Sequence, residues 1–215
     1  MLTQSSDAYK RPFDLLVIGV SHIVLAPVFL LLWAFIPLLI WLDDRGPVFY
    51  RQKRPGKDGR VFTVLKFRTM HRDADRRGPA WTVDGDPRVT RIGRFLRKTA
   101  LDELPQILSI WRGDLSFVGP RAIPVEEQRV LEEQIPGFNE RLRIRPGLTG
   151  LAQVYNSEDE PNAKLRYDLE YMSRMSPVFD MKLMLRSVLN TILARWDKRG
   201  GKEAFSGSEA SKSER

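Results

Sequence analysis

Residues 15–42 read LLVIGVSHIVLAPVFLLLWAFIPLLIWL: 28 residues without a charge, broken by Pro27 and again by Pro37. A straight helix of that length would run about 42 Å, against ~30 Å for the hydrocarbon core of a bilayer. Length alone therefore allows a tilted span. Pro27 argues for a bend. It has no N–H, and its ring crowds the carbonyl four residues back, that of Ile23; in hydrocarbon a freed carbonyl needs another donor. Ser21 and His22, one turn upstream, are the candidates. The flanks add a second constraint. Lys10 and Arg11 precede the run, and Arg45, Arg51, Lys53 and Arg54 follow it. Basic residues beside a membrane segment mark the cytoplasmic side, so a single crossing breaks the rule at one end. A helix that turns back at Pro27 satisfies it at both. Arms over 15–26 and 28–42 would each be about 18–22 Å long, enough for one leaflet. The alternative is a proline-kinked span, because spanning helices tolerate proline. The run is too long for a signal-peptide core, and no small-residue cleavage site follows it.

The composition narrows the chemistry. Among 215 residues there is no cysteine, which excludes disulfide frameworks and cysteine metal or redox sites. His22 and His71 are the only histidines, so a histidine-rich zinc site is excluded too. Any metal would be held mainly by oxygen, which favours magnesium, manganese or calcium. The net charge of +8 suits nucleic acid, an anionic membrane surface or phosphorylated small molecules. For nucleic acid the charge is the only support, and the adjacent apolar run points to membrane lipid instead; no nucleic-acid partner is expected.

Working outward, 45–70 predicts a β-hairpin, with strand-like runs at Val48–Arg51 and Arg60–Lys66 around a turn-rich RPGKDG. Residues 71–90 read as a long loop of the kind that carries function. RIGRFLRK at 91–98 predicts a short basic amphipathic helix, either a solvated face or one lying on phospholipid headgroups. Over 101–112, Leu101, Leu104, Leu108 and Trp111 share one face of a predicted helix. GDLSFVGPRA then gives a turn, a brief strand and a turn. An acidic helix is expected over 124–135, and a second short helix carries Arg141 and Arg143 to the turn RPGLTG. Two further helices are expected over 161–175 and 177–196. The last gathers Val178, Met181, Leu185, Val188, Leu189, Ile192 and Trp196 on one side, facing a core or an interface. Residues 198–215, rich in Gly, Ser and charge, predict a disordered tail. The expected class is α+β and mostly helical, with a small hairpin and amphipathic interfacial helices. Residues 1–44 form the membrane segment, and 45–197 form one compact domain.

The sharpest local feature is TALDELPQ, 99–106. Asp102 stands where a helix N-cap belongs, Glu103 follows in the first turn, and Pro105 fits a turn that needs no N–H. An Asp cap with an acidic first turn is commonplace and worth about 1 kcal/mol. The same pair also suits chemistry, because an ionised Asp can attack a phosphoryl group. Such a step needs positive charge around the phosphate oxygens. Lys66 and Arg68 of KFRTM, Arg97, Arg121 after Gly119–Pro120, and Arg145 of RPG are the candidates. Gly113, Gly119, Gly147 and Gly150 would allow a ligand close to the backbone.

KRPFD, the proline-broken run, KFRTM, LRKTALDELPQI, GDLSFVGPR, RPGLTGLAQV and YDLEY occur here in that order. Together, over about residues 9–196, they resemble the bacterial sugar transferase family, the monotopic phosphoglycosyl transferases, in its small form. The resemblance implies transfer of a phospho-sugar from a nucleotide diphosphate sugar, usually a UDP-sugar, to undecaprenyl phosphate, with release of UMP. The product would start a glycan such as an exopolysaccharide, capsule, O-antigen or protein-linked oligosaccharide. It implies a bacterial inner-membrane location with the catalytic domain on the cytoplasmic face. Asp102 matches the nucleophile that forms a covalent phospho-sugar intermediate, and Glu103 matches its partner. Magnesium is expected at Asp102. Arg97, Arg121 and Arg145 match positions associated with phosphate or nucleotide contact, with Pro120 in the same turn; Lys66 and Arg68 are weaker correspondences. The apolar run matches the family's re-entrant helix, with Pro27 at the bend. Two positions depart from the pattern. Ala26 stands where serine often precedes the breaking proline, and Ala122 stands where a proline often follows Arg121. An inactive membrane-anchored scaffold of the same fold is the alternative; the intact Asp102–Glu103 pair and basic motifs argue against it. Sugar specificity would sit in 71–90 or 150–165.

Overall fold

The computed structural model describes residues 7–78, 85–155 and 160–192. The expected tail and Trp196 lie outside them. The apolar run forms two helices, α1 (Lys10–Val24) and α2 (Ala26–Asp43). The break falls at Leu25 (φ −104°, ψ 16°), two residues before the expected vertex. Pro27 lies in the first turn of α2, where backbone N–H groups have no partner within the helix, so its missing donor costs little. Pro37 sits inside α2 without ending it. The expected help for Ile23 does not occur. Ser21 Oγ donates to the Ile18 carbonyl at 2.9 Å, and His22 Nδ1 lies 2.7 Å from the same oxygen. A carbonyl only accepts, so Nδ1 carries the proton there. The break itself is bridged by Leu25 N–H donating to Ser21 O and Phe29 N–H to Leu25 O, and the His22 ring stacks on Phe29 with centroids 4.6 Å apart.

Both arms rest on the same body. Ile18 of α1 is buried with Ile110 and Leu115. Ile36 and Ile40 of α2 are buried with Phe67 and Leu96, beside Trp33, Leu101 and Leu104. Between these contacts the tip is bare: Ile23 is 81% exposed and Leu30 72%.

α1 is pinned by polar groups, most of them buried. Lys10 Nζ donates to Asp180 Oδ2 and to the Tyr171 hydroxyl, both at 2.7 Å. Tyr171 donates to Asp180 Oδ1 at 2.6 Å, and Tyr9 donates to Asp180 Oδ2 at 3.0 Å. Lys10, Tyr171 and Asp180 are all buried. One turn on, Asp14 Oδ1 accepts from Ser116 Oγ (3.0 Å) and from Phe117 N–H (3.1 Å). Arg11 donates to the carbonyls of Ile110 and Trp111 at the end of the helix that follows Glu103. KRPFD is thus an anchor that ties the first apolar helix to four separate elements.

The hairpin pairs β1 (Phe49–Pro55) with β2 (Val61–Phe67), antiparallel, from Phe49↔Phe67 to Pro55↔Val61. Its tip carries Asp58 and Gly59 in the left-handed region (φ 55° and 74°). After α3 (Arg91–Lys98), the predicted helix over 101–112 is instead a 3₁₀ segment, Leu101–Gln106, and a short α4, Ile107–Arg112. The change of pitch rotates Leu108 and Trp111 out to the surface, while Ser109 and Ile110 face the interior. β3 (Ser116–Val118) pairs in parallel with β4 (Gly147–Thr149), so RPGLTG, expected as a turn, supplies a strand. Its glycines meet backbone, not open space. A side chain at Gly147 would strike Gly119 N, and one at Gly150 would strike Gly119 O.

α5 (Val125–Gln134) and a 3₁₀ segment, Phe138–Arg143, follow β3. α6 (Leu151–Tyr155), α7 (Pro161–Arg174) and α8 (Pro177–Ile192) follow β4. Val118, Ile144, Leu151, Tyr171, Met175 and Leu183 form the core under them. On α8 the predicted apolar side does not enter that core. Val178 is 66% exposed and Leu185, Val188 and Leu189 are exposed with it; Asp180 and Leu183 are the buried residues.

A buried ion pair adds little over apolar groups of the same size, but removing one partner strands a charge, at a cost of about 3–5 kcal/mol. Asp180→Ala should therefore lower the unfolding free energy by about that amount, measured by denaturant unfolding in detergent. Lys10→Met combined with Asp180→Leu should recover much of it. A single mutant within about 0.5 kcal/mol of the parent would show that the anchor contributes nothing.

Candidate functional site

The site is built where α3 gives way to the 3₁₀ segment. α3 starts under a double cap: Thr90 Oγ1 accepts from Gly93 N–H at 2.9 Å, and Asp43 Oδ2, at the end of α2, accepts from Ile92 N–H at 3.0 Å. It stops at Thr99, and Ala100 takes a left-handed conformation (φ 55°), which costs a non-glycine residue about 1–2 kcal/mol. That twist starts the 3₁₀ turn. The cap position is accordingly Ala100, and Asp102 sits inside the first turn beside Glu103. Leu101 and Leu104 of this turn pack on the Phe67 and α2 cluster, which fixes the turn against β2.

The two adjacent carboxylates meet different surroundings. Glu103 Oε1 accepts from Lys66 Nζ at 2.8 Å and from Arg121 Nη2 at 2.9 Å. Burial disfavours its charge, but these two cations outweigh it and hold the carboxyl well below the usual range. Asp102 receives no hydrogen bond among the described residues. Burial, and then the charge on Glu103, push its pKa up to about 6, against the pull of Lys66, Arg97 and Arg121. One carboxylate is thus held in its ionised form by two cations, and its neighbour is pushed towards its protonated form. Pairs pushed apart in this way mark acid, base or nucleophile roles. Arg97 is held by its Nε donating to Thr69 Oγ1 at 2.8 Å. The backbone of Arg121 is held in turn by Arg141 Nη2, which donates to the Arg121 carbonyl at 2.7 Å, while Arg141 Nε pairs with buried Asp168 at 2.8 Å.

One member of the cluster was not singled out from sequence. Arg54 donates through Nη1 to the Ala122 carbonyl and through Nε and Nη2 to Gln52 Oε1 (3.1 and 2.8 Å). Its pKa is pushed down to about 10 by burial and then by Arg121, with Glu103 opposing, so it faces the same group of charges. By composition Arg54 belongs to the RPGKDG turn; the structure instead carries β1 through Pro55, and residues of one parity share a face, so Gln52, Arg54 and Lys66 lie on one side of the hairpin. The packing of Ala122 beside it was not visible.

The structure therefore brings Lys66, Arg97 and Arg121 to Asp102 and Glu103 and adds Arg54. Four cations against two carboxylates leave excess positive charge, which suits a polyanion. Arg68 instead donates to the Asp44 carbonyl, with Nη1 3.7 Å from Asp44 Oδ2. Arg145 Nε donates to Gly113 O at 2.9 Å, where α4 ends. The Pro120 carbonyl accepts from Gly147 N–H at 2.9 Å and so belongs to the β3–β4 pairing. Among the described residues no three acidic or histidine side chains converge to hold a metal. A magnesium ion needs less, because it is commonly bound by one or two carboxylates, water and substrate phosphate. With Glu103 Oε1 occupied, Asp102 is the carboxylate that fits.

A model of the family described as bacterial sugar transferase matches residues 5–194. An exopolysaccharide production protein, PSS, of Rhizobium leguminosarum bv. phaseoli is 43% identical over 193 residues, covering 85% of this chain and 94% of its own. A UDP-glucose:undecaprenyl-phosphate glucose-1-phosphate transferase of Caulobacter vibrioides is 38% identical over 188 residues, 85% of this chain and 69% of that one. A UDP-N-acetylgalactosamine-undecaprenyl-phosphate N-acetylgalactosaminephosphotransferase of Aeromonas hydrophila is 35% identical over 198 residues, 88% of this chain and 45% of that one.

The raised pKa of Asp102 has a sign that can be tested. Its folded value lies above its free value of 3.8, so the group favours the folded state most below about pH 4. That contribution is lost as the pH rises through about 6. Asparagine has no proton to lose. Asp102→Asn should gain stability relative to the parent as the pH goes from about 4 to about 7, by on the order of 1–2 kcal/mol in denaturant midpoints. A difference that stays flat across that window would mean Asp102 ionises without penalty.

Proposed function

This chain belongs to the bacterial sugar transferase family, and from that premise we propose that it transfers a phospho-sugar from a UDP-sugar to undecaprenyl phosphate, releasing UMP. The observation that carries the proposal is the unequal carboxylate pair. Among the described residues Asp102 receives no hydrogen bond, and it stands beside a Glu103 neutralised by Lys66 and Arg121. Relatives named for glucose and for N-acetylgalactosamine share the acceptor, undecaprenyl phosphate, which supports that acceptor and leaves the sugar open.

In the first step an Asp102 oxygen attacks the phosphorus that bears the sugar. The bond between that phosphorus and the bridging oxygen breaks, and UMP leaves with the bridge oxygen. In the second step the phosphate oxygen of undecaprenyl phosphate attacks the same phosphorus and the Asp102 carboxylate departs. Two steps at one carboxylate avoid holding two anionic substrates face to face. Lys66, Arg97, Arg121 and Arg54 supply the positive surround that developing charge on the phosphoryl oxygens requires. Glu103 orients Lys66 and Arg121 and keeps their charges from closing on Asp102. Magnesium, where bound, would be held by Asp102 and would neutralise diphosphate charge.

The substrates meet at a surface, since one is soluble and the other carries its phosphate at the headgroup plane. A re-entrant hairpin suits this. Both arms pack on one body by one face each, and apolar side chains stay exposed along both, from Leu16 to Leu42 and most of all at Ile23 and Leu30. The exposed apolar side of α8 suits the same interface. We place the domain on the cytoplasmic face of the bacterial inner membrane, a reading that the basic flanks on both sides of the hairpin support.

Mixing enzyme with a panel of UDP-sugars, without lipid, should release a stoichiometric burst of UMP with one of them. The burst should slow as the pH falls through about 6, where Asp102 takes up its proton. Asp102→Asn should abolish it, by roughly a thousandfold or more; an undiminished burst from that variant would dispose of the covalent route. The absence of native cysteine makes the topology equally testable. Ala8→Cys and Arg45→Cys should react with a membrane-impermeant reagent from the same side, and reaction from opposite sides would restore the plain span.

A further inference from the structure

We propose a second anion site, separate from the carboxylate pair: the cleft at the end of α2 binds the phosphoryl group of an anionic phospholipid. The cleft has a volume of about 450 Å³ and is lined by Asp44, His71, Arg72, Asp73, Arg76 and Arg77. Its acidic groups are already answered. Asp73 pairs with Arg77, Nε at 2.7 Å and Nη2 at 2.5 Å. Asp44 Oδ2 accepts from Arg72 N–H at 3.1 Å and has Arg68 Nη1 and His71 Nδ1 each at 3.7 Å. Among the described residues, no side-chain partner meets the guanidinium of Arg72 or of Arg76.

The second observation lies in the wall behind. Arg68 is only 7% exposed, and its Nε and Nη1 are buried without a hydrogen bond. Buried N–H groups of a cation are seldom left so, because each gives up its hydration with no hydrogen bond in return. Gly46 shows where the Arg68 head lies. A side chain there would strike both the Arg72 stem and Arg68 Nη1, so the two arginines flank one glycine. Arg68, Arg72, Arg76 and Arg77 outnumber Asp44 and Asp73 by two charges. Planar N–H forks of this kind match phosphate oxygens.

The place selects a lipid as the source of that phosphate. This step rests on the membrane placement proposed above. α2 is apolar up to Leu42, and Asp43–Asp44 is where it leaves the apolar phase. Asp44 is a wall of the cleft, and Asp43 caps α3, whose Arg91, Arg94 and Lys98 run from the same point beside an exposed Phe95. A phosphodiester headgroup occupies that level of a bilayer, and basic side chains close to the surface draw anionic lipid.

The test uses the full chain in nanodiscs of phosphatidylcholine alone, or of phosphatidylcholine with one-third phosphatidylglycerol. Amide hydrogen exchange is followed over 71–77. Exchange there should slow roughly tenfold in the discs with phosphatidylglycerol at low salt. The slowing should vanish at high salt and in Arg72→Ser/Arg76→Ser. Millimolar inorganic phosphate added to phosphatidylcholine discs is the control for a soluble ligand; full protection by phosphate would overturn the lipid assignment. Equal exchange in both discs, with the protein incorporated in each, would overturn the site. Failure to enter either disc would instead overturn the membrane placement on which the site depends.

Discussion

The structure depends on a buried ammonium. Lys10 sits without exposure in the wall between α1, α7 and α8, and charge in such a place must be paired. Asp180 and Tyr171 pair it in one register of α1 only. A slip of one residue would turn the helix by about 100° and leave both Lys10 and Asp14 facing the wrong groups. Arg11, on the same helical turn, reaches the end of α4. The membrane arm is therefore tied rigidly to the segment that starts with Asp102. On the membrane placement proposed above, the depth the hairpin takes in lipid would set the height of that carboxylate.

The second arm acts on the site from the opposite side. Ile36 and Ile40 pack against Phe67, whose strand neighbour Lys66 reaches Glu103. Asp43 caps α3, and α3 carries Arg97. The cations of the site are thus set by elements that the apolar hairpin itself positions. Arg121 is fixed differently, through the buried Arg141–Asp168 pair under its carbonyl. Support of this kind matters for phosphoryl chemistry, where catalysis consists of positioning and fixed charge.

Much of this was legible along the chain, for identifiable reasons. The helices over 91–98, 124–135 and 161–175 have local causes, namely apolar period and caps, and the structure keeps them within a residue or two; the hairpin is kept as well, but its first strand runs on through Arg54 and Pro55, which read as turn by composition. The face of 101–112 was misassigned because the 3₁₀ pitch, set by the left-handed Ala100, changes which residues line up. RPGLTG reads as a turn by composition, yet its glycines serve the close backbone approach of β3 and β4. The stripe on α8 was correctly periodic, but periodicity does not say whether an apolar face meets protein or an interface. Arg54 was hidden because its worth depends on Ala122, 68 residues away.

The sequence by itself determined that the chain has an apolar run interrupted by proline, a hairpin, a carboxylate pair at a turn, and a set of basic motifs whose order resembles one family. These are local facts, carried by residue type and spacing. Tertiary structure alone decided how the two carboxylates differ. Asp102 and Glu103 are neighbours of nearly the same intrinsic acidity, and no pattern along the chain separates them. Lys66 and Arg121 arrive from 37 residues before and 18 residues after Glu103, and both settle on it. Charge interactions depend on distance through space and on burial, and neither is written in the order of residues.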